Sequence, residues 1–109
     1  NEPGTAASRA IALAALAFGI PEAEIGAPTR RGADAALARQ VAMYLSHVAC
    51  RMSLSDVGRA FARDRTTACH ACHVVEDRRD DPDFDALLAG LETVMRGVLP
   101  KENRHAPAT

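Results

Sequence analysis

The stretch from Met52 to His73 limits the fold of this chain more than any other. Ser53 stands where a helix wants an N-cap, and Asp56 follows in the first turn, where the helix dipole favours a carboxylate. Leu54, Val57 and Phe61 recur at i, i+3 and i+7, one apolar stripe of a short helix. Arg63-Asp64 interrupts that pattern, and Asp64 is placed to cap a second helix opening at Arg65. The second helix carries Ala68, Cys72 and Val75, a narrow seam of small residues that lets it pack close. Two short helices joined this tightly predict a helix-turn-helix. In such a motif the first helix props the second, whose N-terminal residues, here Arg65, Thr66 and Thr67, face base edges in the major groove of DNA.

The rest of the chain reads as helices that complete a core around this motif. Thr5 or Ser8 starts a helix through about Phe18, with Ile11, Ala15 and Phe18 on one face and Gly19 as its stop. Pro21 to Ile25 reads as a short helical turn, and 26–32 as a loop holding Arg30 and Arg31. Asp34 is expected to cap a long helix to about Ala49, with Leu37, Val41, Leu45 and Val48 buried. The helix opened by Arg65 is expected to run to about residue 80 and to end at Asp80-Asp81-Pro82-Asp83. A last helix from Phe84 to about Leu99 carries Phe84, Leu87, Leu88, Leu91, Val94, Met95 and Val98 toward the core. The expectation is a single all-α domain over 1–99, about six helices, followed by a polar tail over 100–109 without fixed structure.

A net charge of −1 looks wrong for a nucleic-acid binder until it is divided along the chain. Residues 30–73 hold seven Arg against three Asp, hence +4, whereas 74–100 hold three Arg against seven acids, hence −4. Such asymmetry gives one surface suited to phosphates and another that repels them and is available to a protein partner. Aromatics make up 4% of the chain and Trp is absent, which leaves few platforms for stacking single-stranded bases. The longest apolar run, Ala10 to Ile20, is broken by Gly19 and Pro21 and is too short to span a membrane. Three cysteines, an odd number, suit a reducing cytoplasm better than a disulfide framework.

Three linked segments carry a resemblance to a known family. They are Arg39-Gln40-Val41-Ala42-Met43-Tyr44-Leu45; Leu54-Ser55-Asp56-Val57-Gly58-Arg59-Ala60-Phe61; and Arg63-Asp64-Arg65-Thr66-Thr67 with His70-Ala71-Cys72. Together they resemble the C-terminal DNA-binding domain of the bacterial replication initiator DnaA, over roughly residues 6 to 99. That family shows Arg-Gln-x-Ala-Met-x-Leu, Leu-Pro-x-Ile-Gly-x-x-Phe and Arg-Asp-His-Thr-Thr-x-x-His-Ala-Cys in the same order. The spacing agrees, apart from about one residue missing between Phe61 and Arg63.

The resemblance implies a Trp repressor-like helix-turn-helix and a set of contacts to double-stranded DNA. Arg65 corresponds to a base-reading position and suits guanine O6 and N7; Thr66 offers a methyl group to thymine, and Thr67 a hydroxyl to phosphate. Asp64 either accepts from cytosine N4 or only caps its helix. Arg39, Gln40 and Arg63 fall on phosphate-holding positions, His47 on a position that is commonly basic, and His70 is either near a phosphate or structural. The amides of Leu54 and Ser55 stand where the family meets a phosphate at a helix start, Ser55 replacing its usual proline. Arg30 and Arg31 are either solvated surface or the family's basic loop, in which Arg31 matches the arginine that enters the minor groove.

Two departures point away from the initiator's own target. Arg65 stands where the family has His, which alters the base preferred, and His73-Val74 stand where it commonly has Arg-Lys, which removes phosphate contacts. No glycine-rich nucleotide loop occurs in the sequence, so the expected role is a stand-alone bacterial transcription regulator, such as an activator of gene transfer agent genes. A replication-initiator fragment and a protein-binding module are the alternatives, and the acidic C-terminal third is the candidate surface for RNA polymerase or another regulator. No carboxylate pair or activated nucleophile suggests an enzyme. Cys69-His70-Ala71-Cys72-His73 also spells the c-type haem attachment pattern, but no export signal accompanies it, and zinc would need four ligands with Cys50 the only further cysteine. The expectation is a chain without cofactor.

Overall fold

A helix that meets neighbours on several sides has to bury more than one stripe, and 33–48 does so. The computed structural model describes residues 3–26 and 32–97, and among these are six helices and no strand. They are α1 (Pro3–Phe18), α2 (Glu22–Gly26), α3 (Ala33–Val48), α4 (Leu54–Ala60), α5 (Arg65–Arg78) and α6 (Pro82–Gly97). The helix α3 packs against all five others. Accordingly it buries Ala35, Ala38, Val41, Ala42, Met43, Tyr44, Leu45 and Ser46. The single-stripe reading is corrected: Val41 and Leu45 are in the core, but Leu37 and Val48 are only half-buried at its margin. Ser46 is fully buried, and its hydroxyl donates to the Ala42 carbonyl at 2.9 Å, so no hydrogen-bonding capacity is lost.

Several helix starts differ from expectation, those of α3 and α1 most clearly. α3 begins at Ala33 with Gly32 as its N-cap, at φ 129° and ψ 168°, so Asp34 is not the cap. It lies in the first turn instead, where its charge favours the dipole. α1 begins at Pro3, earlier than Thr5 or Ser8, because proline is preformed for the first helical position. Gly19 ends α1 at φ +66°, as expected of a left-handed stop. The buried face of α1 is mostly alanine, Ala7, Ala10, Ala14 and Ala15, with Ile11 and Phe18 half-buried beside it. Small side chains there let α1 lie close on α3.

α4 and α5 form the helix-turn-helix. Ser53 caps α4, accepting from the Asp56 amide at 3.0 Å, and Val57 and Phe61 are buried with Leu54 half-buried. α5 buries Ala68, Ala71, Cys72 and Val75 against α3 and α4. α6 starts at Pro82 and not Phe84. Its buried edge is Leu88, Leu91 and Met95 with Phe84 half-buried; Leu87 and Val94 stay 37% and 51% exposed. The broad stripe expected there is therefore corrected, because α6 docks on α1 and α3 along one narrow edge. Val98, Leu99 and the tail over 100–109 lie outside the described residues.

Candidate nucleic-acid interface

The first turn of α5 is presented to solvent by its own cap. Asp64 takes up an extended conformation, and its Oδ1 accepts from the Thr67 amide at 2.8 Å. The Thr67 backbone N–H, then the Thr67 hydroxyl, hold this exposed carboxyl below its usual pKa. The sign is that of a stabilised carboxylate: the cap's contribution is present above the ordinary carboxylate range and is lost as pH falls through the lowered value. Asp64 is therefore the N-cap in this structure. Arg65, Thr66 and Thr67 follow it, all exposed, with no acidic residue in the turn. A cation at the first position of a helix opposes the dipole and costs about 0.3–1 kcal/mol. Arg65 makes no ion pair among the described residues. Local stability does not account for it.

Beside this turn, α3 and α5 diverge around an open cleft of about 270 Å³. Arg39, Gln40, Arg63, Thr67 and His70 line it, over a floor that includes Met43 and Ala71. Five residues singled out from sequence thus share one concave surface, brought there by three separate elements. The i, i+3 spacing of Thr67 and His70 on α5 faces the adjacent Arg39 and Gln40 on α3. Arg63 is half-buried in the turn, and its Nη1 donates to the Phe61 carbonyl at 3.1 Å, which directs the side chain.

Other candidates lie elsewhere. His47 and Leu54 line a second cleft, of about 250 Å³, with Tyr44, Cys69, Cys72 and His73. His47 Nδ1 lies 2.7 Å from the Met52 carbonyl, so that nitrogen carries the proton and donates it to the backbone. Ser55 is exposed at the start of α4. Arg30 and Arg31 lie outside the described residues. Among the described residues no group of three or more His, Cys, Asp and Glu could hold a metal ion. Cys72 is buried, and burial, then the neighbouring Cys69, push its thiol up to about 11.

Sequence reasoning missed three residues that hold this surface in place. Gly58 lets the turn fold back onto α4: the Arg63 amide donates to the Gly58 carbonyl at 2.7 Å, and a Cβ at Gly58 would sit 2.8 Å from the Asp64 carbonyl carbon. Ala62 turns the chain at φ +58°, a left-handed conformation that favours glycine. Arg79 ties the end of α5 to two other helices. Its guanidinium donates to Asp85 at 2.6 Å, to Glu92 at 2.8 Å and to the Tyr44 hydroxyl at 3.1 Å. Burial alone would lower its pKa, but the bonds to Asp85, Tyr44 and Glu92 raise it. Gly58 sat in plain view within a family motif, and only the close approach explains it. Nothing in local spacing joins Arg79 to Tyr44.

Fold and surface together define an all-α helix-turn-helix domain whose second helix opens on an exposed turn carrying Arg65. Residues 8–75 match the family model described as bacterial dnaA protein helix-turn-helix. The chain belongs to that family. It is similar to the chromosomal replication initiator protein DnaA of Laribacter hongkongensis, 42% identical over 69 residues that cover 62% of this chain and 14% of the relative. The same protein of Aquifex aeolicus is 44% identical over 57 residues, covering 50% of this chain and 14% of the relative. The chain therefore spans about one seventh of the length of these relatives. A crystal structure of a DNA replication initiation factor superposes with a TM-score of 0.78 at 28% identity, over 89% of this chain and 30% of that one.

Proposed function

We propose that this chain binds double-stranded DNA in a sequence-specific manner and acts as a bacterial transcription regulator. One observation supports the reading above others: Arg65 is exposed at the head of α5, against the helix dipole, directly beside a cleft lined by Arg39, Gln40, Arg63, Thr67 and His70. Locally unfavourable choices concentrate where function requires them. On this reading α5 enters the major groove and Arg65 forks onto one guanine. Thr66 meets a thymine methyl group, while Arg39, Gln40, Arg63, Thr67 and His70 receive the phosphates of one strand. The amides of Leu54 and Ser55 meet a further phosphate at the start of α4. Arg31, with Arg30 beside it, enters the flanking minor groove. His47 donates from Nδ1 to the Met52 carbonyl, and its Nε2 can donate to a phosphate only where it too carries a proton.

The names of the relatives favour a second reading, a piece of a replication initiator. Arg65 in place of the family's His separates the two, because a changed reader implies a changed site. Selection of bound duplexes from a random pool distinguishes them. The regulator reading expects a consensus with a guanine opposite Arg65 that differs from the initiator's own site. Recovery of the initiator site supports the second reading, and absence of any consensus contradicts both.

A further inference from the structure

Gly90 is a glycine that the fold does not require. It stands exposed in the interior of α6, where glycine is locally unfavourable, and a Cβ built on it meets nothing within 4 Å. Gly58, by contrast, is required by the backbone that presses on it. Along the face of Gly90 lie Leu87 on one side and Val94 on the other, two of the three large hydrophobic residues that are exposed among the described residues. Asp83 precedes Leu87 by four positions, so 83, 87, 90 and 94 follow the alternating four and three spacing of a helix-packing seam. This seam is separate from the buried edge of Leu88, Leu91 and Met95.

We propose that the seam seats a helix of a partner protein, drawn close over Gly90, with apolar side chains against Leu87 and Val94 and Lys or Arg at the end that meets the head of α6. The charge argument selects the partner. Of the seven acids in 74–100, Asp83 stands on the seam itself, whereas Asp85 and Glu92 lie on the opposite side of α6 and are engaged by Arg79. Asp80, Asp81 and Asp83 remain exposed at the head of α6, against a single exposed Arg78 there, whose guanidinium lies 5.7 Å from the Phe84 ring centre. A second copy of this chain is disfavoured. Parallel pairing brings the acidic ends together, and antiparallel pairing cannot use Arg96, which lies two positions beyond Val94 on the opposite side of the helix. On the proposed DNA-binding reading, the same charge disfavours DNA on this face.

The test uses the full chain and a phage-displayed library of single-helix peptides with randomised faces. Selected binders are expected to carry an apolar stripe with Lys and Arg gathered toward one end. Their affinity should fall at least tenfold with Leu87→Asp and with Gly90→Leu, and should be unchanged by Leu16→Asp, an exposed leucine on α1. Thermal melts and duplex binding of each variant serve as the fold control, and Val94→Asp replaces any variant that fails it. Acidic or charge-indifferent binders, binders that tolerate the α6 substitutions, or no enrichment at all would overturn the proposal. So would sedimentation of the unmodified chain as a dimer that Val94→Asp dissociates, since the occupant would then be a second copy.

Discussion

Gly58, inside α4, and Ala62, in the turn that follows it, carry opposite conformational demands. Gly58 has no room for a side chain, and placing a methyl group 2.8 Å from the Asp64 carbonyl carbon forces the turn outward. Gly58→Ala is expected to cost about 1–3 kcal/mol, as overpacking does, and to appear as a lowered denaturation midpoint at unchanged slope. Ala62 is the converse case. Its φ of +58° is strained for a residue with a Cβ, so Ala62→Gly should leave stability unchanged or raise it by up to about 1 kcal/mol. A clear loss in that variant would mean the turn is held differently. Cys72 presents a chemical counterpart. With its thiol near 11, about one molecule in ten thousand is thiolate at neutral pH, and alkylation by iodoacetamide should rise roughly tenfold per pH unit toward that value. Fast alkylation at neutral pH would contradict its burial.

At the scale of elements, α5 and α6 are joined by a polar clamp. Arg79 and Glu92 are 20% and 13% exposed at their side chains, so their pairing escapes much of the solvent screening that weakens surface bridges. Arg79→Met is expected to destabilise the domain by about 2–3 kcal/mol, since it strands Glu92 in a half-buried site. Adding Glu92→Gln to that variant should restore part of the loss, and strict additivity of the two would show that they are independent. The helices themselves were readable from caps and periods. Ser53, Asp64 and Gly19 mark ends that the structure reproduces, because each acts on its own few residues. The buried faces of α3 and α6 were less readable. One is enclosed by every other helix and the other held along a single edge, and neither circumstance is written in a 3.6-residue period. The cleft was readable as residue types from the family resemblance, but its sharing by Arg39, Arg63 and His70 depends on how α3 crosses α5.

Across the whole molecule, 30–73 carries +4 and 74–100 carries −4, and the proposed reading turns that contrast into a control for every binding measurement. Arg39→Ala and Arg63→Ala are each expected to weaken specific and non-specific duplex binding alike and to flatten the salt dependence by about one unit of slope. Asp83→Lys, on the far acidic side, should leave specific affinity within a few-fold. Asp85 is a poorer probe because it holds Arg79. The central claim is that two arginines read one site from two grooves. It is tested most directly by selecting bound duplexes from a random pool with Arg65→Ala and with Arg31→Ala, beside the unmodified chain. Arg65→Ala should lose a single guanine preference, worth about 1–3 kcal/mol, and keep the rest of the consensus. Arg31→Ala should lose an A·T preference at one end of the site and keep the guanine. Loss of the same position in both variants, or an unchanged consensus in both, would contradict the account.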